Sequence, residues 1–264
     1  MTDSHAIDER YKFSLALIRE AGDLANQYFS NREALTIQSK GLQDMASEAD
    51  LQTELLIKER LAKHFPEDAF LGEETGITAF EPSQGIWVVD PIDGTQPFIS
   101  GITSWCVSIA FVKDGALKFG MVYAPARDEL FAGGESWAAT LNGKEVERHP
   151  ARSVREGIVG VGYSPRVTPD EFLPMFERLL KAGGMFSREG SGALTLCYVA
   201  SGRLIGYIEP HINSWDCLGA IAIIRAAGLI TNDFLAGDGL RKGNPVIAGN
   251  EAVYAELSDI FEGN

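Results

Sequence analysis

The sequence predicts an α+β protein built in layers, with an antiparallel sheet in the N-terminal half and a mixed sheet in the C-terminal half. Three observations carry that prediction. Apolar residues recur at three- and four-residue spacing in the first 66 positions, β-rich runs separated by short turns fill 104–134, and strands alternate with helical stretches after 153.

Residues 6–30 are expected to be an amphipathic helix with Phe13, Leu17, Ala21, Leu24 and Tyr28 on its inner face. A polar connector, KGLQDMASEAD, leads to a second helix from about Asp50, which Pro66 ends. IWVVD (86–90) is a short buried strand, and WCVSIAFV, LKFGMVYAP and DELFAG form a meander around the Lys113-Asp114-Gly115 turn. LNGKEV extends or closes that sheet. Then follow a strand at IVGVGYS, helices over 169–182 and 191–202, a strand at LIGYIEP and a helix over 214–227. The strands LITND and PVIAG and a closing helix complete the chain. With no linker or repeat, residues 1–150 and 151–264 read as two lobes of one unit.

Composition narrows the function. The 264 residues carry 37 acidic against 23 basic side chains, a formal net charge of −14. That balance, without a basic cluster, argues against nucleic acid and anionic membranes as partners. No apolar stretch reaches membrane-spanning length. The opening MTDSHAIDERYKF has no basic region followed by an apolar core, so a cytoplasmic location is expected. The three cysteines, Cys106, Cys197 and Cys217, lack metal-ligand spacing and read as reduced core residues.

Against that background, Asp90 and Asp93 stand three residues apart in the apolar stretch IWVVDPIDGT. A buried carboxylate without a partner is costly. Pro91 fixes φ, and Asp93-Gly94 forms a turn that brings the second carboxylate back toward the first. Two such carboxylates beside the Thr95 hydroxyl and the Gly94 and Thr95 amides suit a hard divalent cation that bridges to phosphate oxygens. In LGEETG, Glu73 is either part of a solvated loop or a third ligand. In NSWDCLGAIAIIRAAG, Asn213 or Ser214 caps a helix whose first turn holds Asp216; that position also suits the helix dipole, and Trp215 reads as packing.

Taken together, GEE at 72–74, WVVDPIDGT at 87–95 and WD at 215–216 resemble the inositol monophosphatase family of Mg2+-dependent, Li+-sensitive phosphatases. The resemblance implies an α/β/α/β/α sandwich of the sugar-phosphatase type and a homodimer. It implies two to three Mg2+ ions, with Glu73, Asp90 and the Ile92 carbonyl at the first and Asp90, Asp93 and Asp216 at the second. It further implies that Thr95 positions the attacking water and is held by Asp50, with Lys40 and Asp44 near the metals. Asp50 also reads as the N-cap of the second helix. Gly94 and Thr95 would grip the phosphate, while Asp93, Gly192, Glu209 and Asp216 would contact a small phosphorylated polyol or sugar. Histidinol phosphate, fructose 1,6-bisphosphate and nucleotide phosphates such as NADP are the alternatives within the family. A non-catalytic regulatory protein on this fold, partnering the transcription machinery, is the alternative outside catalysis.

Two departures from the family pattern bear on the substrate. Gln96-Pro97 follows the motif, Pro97 suiting a first helical turn while biasing Gln96 away from helical geometry. His211 lies in a loop near Glu209 and reads as exposed or as a pocket residue.

Overall fold

The three- and four-residue spacing near the N-terminus produces helix α1 (Asp3–Ser30), which turns Leu17, Ile18, Ala21 and Ala25 inward. The computed structural model describes residues 3–34, 37–41, 44–79, 81 and 83–263, and only the backbone of 3, 4, 34, 37–41 and 44–46. The expected connector is instead a hairpin of β1 (Ile37–Gly41) and β2 (Asp44–Ser47), antiparallel with Ile37 opposite Ser47. Its polar residues carry no alternating apolar pattern by which a strand is recognised. Lys40 lies on β1 and Asp44 opens β2; their side chains are outside the described residues.

Helix α2 (Glu48–His64) begins before Asp50, because Ser47 supplies the cap. Its hydroxyl accepts from the Ala49 amide at 3.2 Å, and Asp50 Oδ2 reaches back to the Ser47 amide at 2.8 Å and hydroxyl at 2.6 Å. Asp50 therefore sits in the first turn rather than at the cap, which leaves its Oδ1 for another partner.

The strands β3 (Ala69–Gly72), β4 (Gly76–Ile77) and β5 (Ile86–Asp93) precede a short helix α3 (Thr95–Ile99). The meander then runs through β6 (Cys106–Lys113), β7 (Ala116–Ala124), β8 (Glu129–Gly134), β9 (Trp137–Leu141) and β10 (Lys144–Glu145). Together these form an eight-stranded sheet in the order β10-β9-β8-β7-β6-β5-β3-β4, antiparallel apart from the β3–β5 pair. In the second half come β11 (Ile158–Val161), α4 (Pro169–Lys181), β12 (Met185–Ser187), α5 (Gly192–Ala200), β13 (Gly206–Ile212), α6 (Leu218–Ala226), β14 (Ile230–Thr231), α7 (Gly239–Lys242), β15 (Asn244–Gly249) and α8 (Glu251–Glu262). Their sheet, β12-β11-β13-β15-β14, is mixed: β11 runs parallel to β12 and β13, while β15 is antiparallel to both neighbours.

Alternation along β5 assigns the layers. Trp87 and Val89 join α1 and α2 in one apolar cluster, whereas Ile86 and Val88 join α5 and α6 in a second. That second cluster also takes Tyr207, Val246 and Ala248 from the smaller sheet, and α4 and α8 cover its far face through Leu179, Val253 and Leu257. The layers are therefore α/β/α/β/α, with α5 and α6 between the sheets. Among the described residues, no helix is long and apolar enough to cross a membrane.

The strand at 86–90 does not stop at Asp90, as its proline suggested. Ladder pairing resumes at Asp93, opposite Cys106, so β5 advances three residues where β6 advances two. The extra residue is a bulge at Pro91-Ile92. The same device recurs in β13, which advances from Glu209 to Ile212 while β15 moves from Val246 to Asn244. Each bulge follows an acid directly preceding proline, which has no amide for the ladder. The first bulge brings Asp93 onto the face of Val88 and Asp90, toward α5, and the second brings Ile212 onto the face of Tyr207 and Glu209.

Candidate active site

At the end of β5, Asp90 is 1% exposed and its Oδ1 accepts the Ile92 amide at 2.9 Å. One carboxylate oxygen each from Glu73, Asp90 and Asp216 lies within 4.8 Å of the other two. Glu73 reaches this point from the turn between β3 and β4, and Asp216 from the turn before α6. Helix α6 starts at Leu218, so Asp216 precedes it instead of occupying its first turn. Its Oδ2 accepts the Asn213 amide and side-chain nitrogen, both at 3.3 Å.

Burial, followed by the negative charges of Glu73, Asp93 and Asp216, pushes Asp90 well above the usual carboxylate range. Burial likewise raises Asp216, against the opposing effects of its contact with Asp90 and of Arg166. In the absence of a cation the protonated forms of Asp90 and Asp216 are favoured relative to an exposed aspartate. Converging carboxylate oxygens, from buried Asp90 and half-buried Glu73 and Asp216, are the donor set of a hard divalent cation, and Mg2+ fits it.

Asp93 is turned elsewhere in this structure. Its Oδ2 accepts the Ser191 hydroxyl at 2.5 Å and the Ala193 amide at 2.7 Å, and its Oδ1 accepts the Gly192 amide at 3.3 Å. It therefore anchors the start of α5, and the Gly192 amide points at this carboxylate. Burial and then the Asp216 charge push Asp93 up to about 7, while Ser191 and the two amides oppose the rise. Cys106 lies against the same group, with Sγ 3.7 Å from Asp93 Oδ2, and all three cysteines are buried and free.

Gly94 joins β5 to α3 with φ 98°, and a Cβ there would meet the Ser104 carbonyl oxygen at 2.9 Å. Only glycine fits both conditions. Thr95 opens α3, its Oγ1 lying 3.2 Å from Asp50 Oδ1 and 3.2 Å from the Ile92 carbonyl oxygen. Burial raises Asp50 despite the two Ser47 hydrogen bonds. Gln96 is helical after all, because Pro97 still lies within the first turn, where an amide has no intrahelical partner to lose.

Glu209 projects from the β13 bulge and accepts the Tyr207 hydroxyl at 2.5 Å. Burial pushes its carboxyl up to about 8, with the Tyr207 hydrogen bond opposing. A cavity of about 130 Å³ joins Glu209 to Asp93, Gly192, Asp216, Ser164 and Arg188. His211 faces away from it, with Nε2 2.8 Å from the Lys242 carbonyl oxygen. Trp215 packs against the central apolar cluster. Ser191 and Tyr207, which the sequence reading did not single out, support Asp93 and Glu209, and Asn213, expected there only as a helix cap, supports Asp216. Tyr207 and Asn213 had a local signal, lying two and three residues from an acid, whereas Ser191 is 98 residues from its partner.

The model of the inositol monophosphatase family matches residues 6–261. The chain is similar to Nus factor SuhB of Haemophilus influenzae, 34% identical over 246 residues that cover 92% of each protein. It is also similar to an inositol-1-monophosphatase of Mesorhizobium japonicum, 33% identical over 240 residues that cover 90% of each. Among solved structures it is similar to extragenic suppressor protein suhB of Bartonella henselae, with TM-score 0.87, 30% identity, and coverage of 94% of this chain and 96% of that one.

Proposed function

We propose that this chain, which belongs to the inositol monophosphatase family, is a Mg2+-dependent phosphomonoesterase acting on a small polyol or sugar phosphate. The convergence of Glu73, Asp90 and Asp216 carries the reading, because a cation would offset the burial and the neighbouring charges that push Asp90 upward. Glu73, Asp90, Asp93, Asp216 and the Ile92 carbonyl would hold the metal. When bound, Mg2+ supplies charge for the phosphate and lowers the pKa of water.

The chain's own groups do the rest. Thr95, with its proton given to Asp50, offers lone pairs that orient a water molecule toward phosphorus. The Gly94 and Thr95 amides receive phosphate oxygens, and Gly94, having no side chain, lets them approach. Glu209 reads the polyol: with its carboxyl at about 8, it keeps a proton at neutral pH and can both donate to and accept from a hydroxyl. Lys40 and Asp44 keep their assignment near the metals from the family resemblance. A homodimer, lithium inhibition and a cytoplasmic location rest on that resemblance and on composition.

Phosphate release with and without Mg2+ tests the reading across inositol 1-phosphate, histidinol phosphate, fructose 1,6-bisphosphate, NADP and 3′-phosphoadenosine 5′-phosphate. Mg2+-dependent release from inositol 1-phosphate is expected, and faster release from another of these would reassign the substrate. Glu209→Ala is expected to raise KM for a polyol phosphate about tenfold, the worth of one hydrogen bond to a charged or buried group, and KM for an aryl phosphate less than about twofold. Equal effects on both would remove Glu209 from recognition. The name Nus factor on a relative 34% identical favours a second, regulatory reading and weakens the expectation that no nucleic-acid-linked partner exists. Absence of Mg2+-dependent release from every phosphate ester tested would put that reading first.

A further inference from the structure

Glu54 took no part in the sequence reading, yet it is 0% exposed and lies beside the turn that carries Glu73. Its Oε2 accepts the Glu74 amide at 2.8 Å and its Oε1 the Thr75 amide at 2.7 Å. Gly72, the last residue of β3, leaves the space: a Cβ there would lie 2.4 to 2.5 Å from the Glu54 carboxylate. Lys58 fastens the same turn from its exposed side, with Nζ 2.9 Å from Thr75 Oγ1.

A carboxylate is buried at a cost of several kcal/mol unless its oxygens find donors. Here each oxygen has a backbone amide, and the two amides belong to consecutive residues of one turn. Glu54 also follows Asp50 by four residues, so both point from one face of α2. The helix thus presents one carboxylate to Thr95 and, a turn later, another to the turn of Glu73.

We propose that Glu54 is a positioning residue for the metal centre: by holding the Glu74 and Thr75 amides it fixes the turn that aims Glu73 at Asp90 and Asp216. This rests on the reading of Glu73 as a metal ligand. Side chains that orient ligands typically cost about 10- to 100-fold in metal affinity when lost. Glu54→Gln keeps the volume but confronts one amide donor with another, and Gly72→Ala keeps Glu54 but forces its carboxylate away.

The test titrates Mg2+ into the metal-free wild type and both variants by calorimetry, and follows amide exchange at Glu74 and Thr75. Both variants are expected to bind Mg2+ about 10- to 100-fold more weakly with unchanged far-UV circular dichroism. The two amides are expected to exchange slowly in the metal-free wild type and rapidly in the variants. Wild-type affinity in both variants overturns the proposal, as does exchange of the metal-free wild-type amides at the rate of an unprotected backbone amide. If Glu54→Gln does not fold, Gly72→Ala decides. A wild type that binds no Mg2+ would remove the phosphatase reading instead, and the exchange data would still decide whether Glu54 holds the turn.

Discussion

Asp90→Asn is expected to abolish Mg2+-dependent phosphate release and to raise the melting temperature of the metal-free protein at pH 8. Asp90 is buried among like charges that push its carboxyl well above the usual range. A carboxyl whose pKa is higher folded than unfolded takes up a proton on folding. Its stabilisation is full below the unfolded value of about 4 and is lost as pH rises through the folded value. Asp93, pushed up to about 7, and Glu209, pushed up to about 8, act in the same direction. The metal-free chain should therefore lose stability between about pH 4 and pH 8.

Asparagine is neutral throughout that window, and its carbonyl oxygen can still accept the Ile92 amide, so the substitution removes repulsion and little else. Saturating Mg2+ reverses the order. The wild type gains the binding free energy, and the variant, short of a ligand proposed to serve two ions, does not. Turnover should fall about 10³-fold or more, since metal charge contributes several kcal/mol to such reactions. Calorimetric melting at pH 8 with and without Mg2+, together with phosphate release, checks both halves. A metal-free variant that melts below the wild type, or turnover within about tenfold of it, would remove Asp90 from the metal centre.

Much of this site was legible because its residue types carry chemistry and its fold is built from strong patterns. DPIDGT at the end of an apolar strand announces buried carboxylates by composition alone, and the meander around Lys113-Asp114-Gly115 follows from alternation and turn chemistry. What stayed hidden has physical causes. The β1–β2 hairpin has no apolar alternation. The bulges after Asp90 and Glu209 depend on pairing with distant strands, so the prolines reveal a break in the ladder but not its resumption. Asp93 illustrates the same limit: its spacing places it beside Asp90, while its hydrogen bonds come from residues 98 to 100 positions away. Glu54 did leave a trace, an acid on the same helical face as the buried Ile57 and Leu61, where a carboxylate has to be held by something.

Thr95→Ala is expected to lower kcat about 10²- to 10⁴-fold, the usual worth of a positioned proton acceptor, while leaving Mg2+ affinity within about threefold. The Thr95 hydroxyl has one proton and two acceptors at 3.2 Å, Asp50 Oδ1 and the Ile92 carbonyl oxygen. Asp50 is the stronger acceptor when ionised. Donation to it frees the hydroxyl lone pairs for a water molecule, and Ser47 holds the other carboxylate oxygen so that Asp50 cannot turn away. Burial raises Asp50, so the acid limb of the kcat profile should lie above the ordinary aspartate value, with activity falling as pH drops and the carboxylate is protonated. Thr95→Ser keeps the hydroxyl and should restore turnover to within about tenfold. That limb should survive in the serine variant and vanish in the alanine one. Equal losses in serine and alanine would assign the effect to the threonine methyl, and a matching loss of Mg2+ affinity would make Thr95 part of the metal centre instead of the group that orients water.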